Sequence, residues 1–330
     1  MLLRRLVAPS IINHSKSYLT AKTRFRMAST LTLPDSRTLA YSLDPSTKST
    51  KAPVIILSNS LLAPLPVWDH VVKDLNDNGY HTLRYDQPGH GGSSAPKDLS
   101  STTFDSIAED VYHLIKTLRI KKVHSWIGVS MGASTGVYFA TKYPNVIQKL
   151  AICDTISSSP VNAGTEDTFG PRIATARKAG NLDSTIESTL DRWFGKDWMD
   201  TNPEETKRMR NVMSGTTLDG FEACCNALKS ETFDLRPLFG KVGASVDETI
   251  CVVGEKDANL PETMAEMRDE IQKGFHSVSK DTKVDLVVIK NAGHVSFIDG
   301  YKQFVKELGR WLAQRSTTDD VYNFNELKAE

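Results

Sequence analysis

The sequence predicts an α/β fold, a mostly parallel central sheet with helices on both faces and an inserted helical cap. Three observations predict it. Short β-branched runs alternate with amphipathic stretches of helical period, the pattern of parallel strands joined by crossover helices. Several of those runs are continuously apolar, as strands buried on both faces are. The alternation stops between residues 156 and 235, where no strand-like run appears and helical patterns follow one another. With 330 residues, 39% hydrophobic and 24% charged, the chain has the composition of a globular protein with a sizeable core.

Residues 1–29 read as a leader. They hold Arg4, Arg5, Lys16, Lys22, Arg24 and Arg26, and the first acidic residue of the chain is Asp35. Leu2, Leu3, Leu6 and Val7 share one helical face. Basic, hydroxyl-rich, acid-free and amphipathic is the composition of a mitochondrial presequence. A mitochondrial location is expected for translation from Met1, and a cytoplasmic one for a start at Met27. The α/β core then occupies 30–155 and 236–314, the cap 156–235, and a loose polar tail 315–330.

In the core, "LTLPDSRTLAYSLD" (31–44) reads as a hairpin turning at Pro34-Asp35. "VIILSN" (54–59) is a buried strand. "PVWDHVVKDLNDNG" is a helix stopped by Gly79, and "YHTLRYD" (80–86) the next strand. Thr102 and Asp105 supply a capping box for a helix running through Ile107, Val111, Leu114, Ile115 and Leu118. "VHSWIGV" (123–129) is a strand, and "MGASTGVYFATKYP" a helix that ends before Pro144. "KLAICDT" (149–155), "TICVVGE" (249–255) and "VDLVVIKN" (284–291) complete the strands. "PETMAEMRDEIQKG" and "YKQFVKELGRWLAQ" are the last helices. Within 156–235 the helices are "PRIATARKAG", "LDSTIESTLDRWFG", "PEETKRMRNVM" and "LDGFEACCNAL".

Composition excludes several function classes. Forty basic against forty acidic residues give a net charge of zero, which argues against a general nucleic-acid surface. No apolar run approaches the ~20 residues of a membrane span. The cysteines Cys153, Cys224, Cys225 and Cys251 have no ligand spacing and make no disulfide framework. No metal and no cofactor are expected.

The chemistry lies just past three strands. "GVSMG" (128–132) matches G-x-S-x-G between a strand and a helix, the context in which a sharp turn presents the serine. Asp257 follows the strand 249–255, and His294 follows the strand 284–291. A serine hydroxyl is a weak nucleophile that needs an imidazole to take its proton. The imidazole in turn needs a carboxylate to fix its tautomer. Ser130, His294 and Asp257 are the candidates, with Asp154 a rival acid and Glu255 a weaker one. An acyl-transfer site also needs oxyanion donors. The backbone N–H groups of Met131, after the nucleophile, and of Leu61, in "SNSLLAPLPVW", are the candidates. Asp86 and His90, in "YDQPGHG", read as turn residues near the site.

The motifs "LSNSL", "LRYDQPGHGGSSAP", "GVSMGASTGV", "CDT", "RWFGKDWM", "DLRP", "VVGEKDANLP" and "AGH" resemble the 3-oxoadipate enol-lactonase branch of the α/β-hydrolases over residues 30 to 314. The resemblance implies the α/β-hydrolase fold and a cofactor-free serine hydrolase of a small-molecule lactone or ester. It implies Ser130 as nucleophile, Asp257 as orienting acid, His294 as base, and Leu61 and Met131 as oxyanion donors. Trp193, in "RWF", is implied to reach the pocket from the cap. Arg172, Arg177 and Arg192 are the cap's candidates for a substrate carboxylate. The apolar Leu62-Ala63-Pro64 departs from the polar loop usual in that branch, and if none of these arginines matters a neutral lactone or ester fits it better. C–C bond hydrolysis or acyl transfer with the same triad, and a non-catalytic ligand-binding role, are the alternatives.

Overall fold

The computed structural model describes residues 28–314 and 320–327. The expected leader lies outside the described residues up to residue 27. β1 (Ser29–Thr32) and β2 (Thr38–Asp44) form the expected hairpin, paired from Ser29↔Tyr41 to Thr32↔Thr38. Ser29, assigned to the leader by composition, thus belongs to the sheet. After the short β3 (Lys51–Ala52) come β4 (Val54–Ser58), β5 (His81–Tyr85), β6 (Val123–Val129), β7 (Ile147–Cys153), β8 (Glu248–Gly254) and β9 (Asp285–Ile289). The eight-stranded sheet has the order β1-β2-β5-β4-β6-β7-β8-β9. β2 meets β5 antiparallel, and every pairing from β5 through β9 is parallel. Every residue of β4, β5, β6 and β7 is buried, as a sheet covered on both faces requires.

The crossover helices are α1 (Asp69–Asp77), α2 (Phe104–Thr117) and α3 (Met131–Lys142). Seven helices follow between β7 and β8, namely α4 (Pro160–Ala163), α5 (Phe169–Ala179), α6 (Asp183–Phe194), α7 (Lys196–Thr201), α8 (Pro203–Met213), α9 (Leu218–Lys229) and α10 (Arg236–Ser245). α11 (Leu260–Ser277), α12 (Ser296–Asp299) and α13 (Tyr301–Leu312) complete the α-helices of the described residues. α2, α3, α10 and α11 pack side by side. α1 and α13 meet separately, where Tyr301 Oη donates to Asp74 Oδ2 at 2.7 Å.

Two details differ from the sequence reading. The capping box of α2 uses Thr103 and Ser106, each side chain accepting from the other's backbone N–H, rather than Thr102 and Asp105. Phe104, buried against Phe233 at 4.3 Å, fixes that register. Nor is the tail loose throughout. β10 (Tyr322–Asn323) pairs with β3, Phe324 N donates to Thr50 O, and Leu327 is buried. The average composition of the tail conceals these three apolar anchors.

Candidate active site

The strand–helix turn at Ser130 is built by close backbone approach. A Cβ at Gly128 would meet Gly132 O at 2.3 Å, and one at Gly132 would meet Ser58 O at 2.2 Å. Glycine at both positions lets α3 start against β6 and β4. Between them Ser130 has φ +53, a left-handed value that costs a non-glycine residue ~1–3 kcal/mol. Its N–H donates to Cys153 O at 2.8 Å, and its carbonyl accepts from Thr155 Oγ1 at 3.0 Å. Met131 opens α3, so its N–H lies in the first turn, where intrahelical acceptors are missing.

His294 and Asp257 meet behind this turn. His294 Nδ1 is 2.8 Å from Asp257 Oδ2, and both side chains are buried. Nδ1 donates to the carboxylate, which leaves Nε2 as the basic nitrogen. Ser130 and His294 line one cavity. No hydrogen bond joins Ser130 Oγ to His294 Nε2 among the described residues. Contacts of that kind tighten in the Michaelis complex. Asp154, the rival acid, makes no hydrogen bond to the His294 ring among the described residues. Its Oδ1 accepts from Gly254 N at 2.7 Å and its Oδ2 from Ser296 Oγ at 2.7 Å. Glu255 is bound outside the site by Lys290 and Asn291 N. Asp299, which the sequence reading missed, accepts from Gly293 N at 2.6 Å and supports the residue before His294. Burial pushes its pKa up to about 6.

Leu61 sits on the cavity wall, in the loop after β4. Asn59 anchors that loop, donating from Nδ2 to Tyr85 O at 2.9 Å and accepting from Trp68 Nε1 at 2.8 Å. Leu62 has φ +65, and its N–H donates to His90 Nε2 at 3.0 Å. His90 Nδ1 lies 3.0 Å from Pro88 O, so this buried ring is neutral with its proton on Nδ1. Burial lowers its pKa to about 4. Asp86 accepts from Leu65 N at 2.6 Å and Gly92 N at 3.1 Å, the bracing role its sequence position suggested. Sequence reading placed His90 near the site and gave no sign that it holds the neighbour of Leu61.

The cavity encloses about 880 Å³ and is bounded by the β4 loop, Ser130, His294 and the helices that follow β7. Trp193, Arg172 and Arg192 all line it. The Trp193 ring lies 5.8 Å from the His294 ring, centroid to centroid, and Trp193 O accepts from His294 N at 3.3 Å. Trp193 is 2% exposed, and its Nε1–H has no partner among the described residues. Arg172 is half-buried, donates to Thr189 Oγ1 at 2.9 Å and lies over the Phe221 ring. Desolvation lowers its pKa. Arg192 keeps solvent exposure yet is crowded by protein. Desolvation, reinforced by the charge of Arg172 and opposed by that of Asp257, brings its pKa down to about 10. Arg177 is not part of the site. Its guanidinium is bound on the surface to Asp219 and Glu222.

The family described as the alpha/beta hydrolase fold matches residues 53–301. The chain is 27% identical over 260 residues to 3-oxoadipate enol-lactonase 1 of Acinetobacter baylyi, covering 77% of this chain and 86% of that one. Against 3-oxoadipate enol-lactonase 2 of the same organism it is 26% identical over 205 residues, covering 62% and 72%. Its fold is similar to the crystal structure of the enol-lactonase from Burkholderia xenovorans LB400, with a TM-score of 0.74 and 29% identity across 87% of this chain and 100% of that one. The family match takes in the sheet from β4 to β9 together with the turn at Ser130 and the His294–Asp257 pair, and on that extent this chain belongs to the α/β-hydrolase fold family.

Proposed function

We propose that the protein is a serine hydrolase that opens a lactone or cleaves a carboxylic ester through an acyl-enzyme. The observation that carries the reading is one cavity wall. It holds Ser130 on a strained turn and His294, whose other nitrogen is bound to buried Asp257. In this reading His294 Nε2 takes the proton of Ser130 Oγ as the oxygen attacks the substrate carbonyl. The N–H groups of Leu61 and Met131 receive the developing oxyanion. His294 then protonates the leaving oxygen, and a water it deprotonates releases the acid. The residues over the cavity from α5 and α6 act as a cap that excludes water.

The substrate we favour carries a carboxylate. Arg172 and Arg192 face the cavity and neither has an ion-pair partner among the described residues. The Trp193 N–H is a buried donor without an acceptor among the described residues, and leaving it so costs ~1–3 kcal/mol. A substrate oxygen satisfies it. The similarity to proteins named 3-oxoadipate enol-lactonase supports the same class. The test is kcat/KM for a carboxylated and an uncharged lactone of equal size, alongside short aryl esters, in wild type, Arg172→Ala and Arg192→Ala, with Ser130→Ala as blank. The carboxylated lactone should be preferred, and either arginine variant should lose that preference by ~10-fold or more. An unchanged ratio in both variants would remove the arginines from substrate recognition.

A further inference from the structure

Asp154 stands where β7 ends, fully buried, with φ +46. Such a backbone value is tolerated by Asp and Asn more readily than by most residues, and it aims the two carboxyl oxygens at different segments. Oδ1 accepts from Gly254 N, at the end of β8 and three residues before Asp257. Oδ2 accepts from Ser296 Oγ and, at 3.4 Å, from Ser296 N, two residues after His294. One side chain therefore bridges the two loops whose residues, Asp257 and His294, meet at 2.8 Å. The reaction outlined above makes no use of it. We propose that Asp154 is a positioning residue, whose bridge between β8 and the His294 loop sets the distance and angle at which Asp257 holds the imidazole. The proposal rests on the hydrolase reading for its effect on turnover, and on the bridge alone for its effect on the ring. Burial, with the charge of Asp257 beside it, pushes the Asp154 pKa well upward.

The experiment compares Asp154→Asn, Asp154→Ala and Ser296→Ala in the full chain. Asn keeps the shape, the tolerance of positive φ and an oxygen that accepts from Gly254 N, and it holds the Ser296 end with the polarity reversed, its Nδ2–H donating to Ser296 Oγ. Ser296→Ala removes one end of the bridge and leaves the Asp154 backbone untouched, so it serves even where Asp154→Ala does not fold. Two readouts are taken: hydrolysis of p-nitrophenyl acetate, and the downfield proton resonance of His294 Nδ1–H, which reports its bond to Asp257. Asp154→Ala should lose kcat on the order of 10²-fold, the cost of a ~1 Å misplacement. Ser296→Ala should lose ~10-fold, with KM within about twofold, and Asp154→Asn should stay within ~3-fold. The Nδ1 resonance should persist in Asp154→Asn and broaden or vanish in the two alanine variants. A folded Asp154→Ala with unchanged kcat and resonance would overturn the proposal. So would Asp154→Asn falling as far as Asp257→Asn, because charge and not the bridge would then be required. A wild type that cleaves no ester while the resonance follows the bridge would contradict the hydrolase reading and leave the bridge standing.

Discussion

At Ser130 the backbone has φ +53, a value that residues other than glycine rarely adopt, and Leu62, Asp154 and Ala258 also have positive φ around the site. Strain at four residues that flank the cavity or the His294–Asp257 pair is the residue-scale mark of a site fixed by its surroundings. If Ser130 is the nucleophile, Ser130→Ala should lower kcat by on the order of 10⁶, with His294→Ala similar. Asp257→Asn should lower it by on the order of 10⁴, because the amide favours the wrong imidazole tautomer. Steady-state kinetics of the three variants check this, and a near-normal Asp257→Asn would return the acid's role to Asp154. Trp193→Phe keeps an aromatic side chain, smaller than the indole, and deletes the unpartnered N–H. It should cost ~5–30-fold in kcat/KM on a substrate that supplies an acceptor; no loss on any substrate would leave Trp193 as packing. Ser130, Asp257 and His294 were legible in the sequence as candidates because each follows a recognisable strand. The separate task of Asp154 was not legible. Its partners Gly254 and Ser296 are distant in sequence and carry no motif.

At the scale of elements, the loop after β5 ties three parts together. His90 holds Leu62 N, Gly91 N donates to Gly215 O, and Thr217 N donates to Gly89 O. It thus fixes both the β4 loop and the turn between α8 and α9. The His90 pKa is about 4 in the fold against 6.5 for the free side chain. The unfolded chain therefore binds the proton first, and stability contributed by the neutral ring is complete above pH ~6.5 and lost as pH falls toward ~4. Asp86, raised by burial to about 6, acts in the opposite sense. The His90 contribution must accordingly be isolated by difference. Wild type should lose ~3 kcal/mol relative to His90→Gln between pH 7 and pH 4, measured by urea unfolding. A pH-independent difference would contradict a buried neutral His90. The strands were legible from continuous apolar runs, the helices from their periodicity. The α2 cap slipped by one residue because "TTFDS" offers a hydroxyl at both Thr102 and Thr103. Only the burial of Phe104, a tertiary contact, decides between them.

Across the whole molecule, Leu61, His90, Ser130, Asp154, Asp257 and His294 all lie past the C-terminal ends of parallel strands, where ligands bind in open α/β sheets. The docked tail lies at the opposite end. Tyr322 O is 3.0 Å from His81 Nε2 at the start of β5, and Tyr322 Oη accepts from Lys122 N at 2.7 Å, just before β6. Removing residues 315–330 should lower stability by ~2–4 kcal/mol, the worth of Leu327 burial and these bonds, and leave kcat unchanged. Calorimetry and kinetics on the truncated chain check both halves. We propose that residues 1–30 direct import into mitochondria, and fusing them to a fluorescent reporter should place it there; a diffuse signal would support a start at Met27. The central claim is that Ser130 is a nucleophile activated by His294, and intact-mass spectrometry after treatment with a fluorophosphonate tests it most directly. The account predicts one adduct per chain, mapped to Ser130, absent in Ser130→Ala and formed far more slowly in His294→Ala. An unmodified wild type, or an adduct that survives Ser130→Ala, would contradict it.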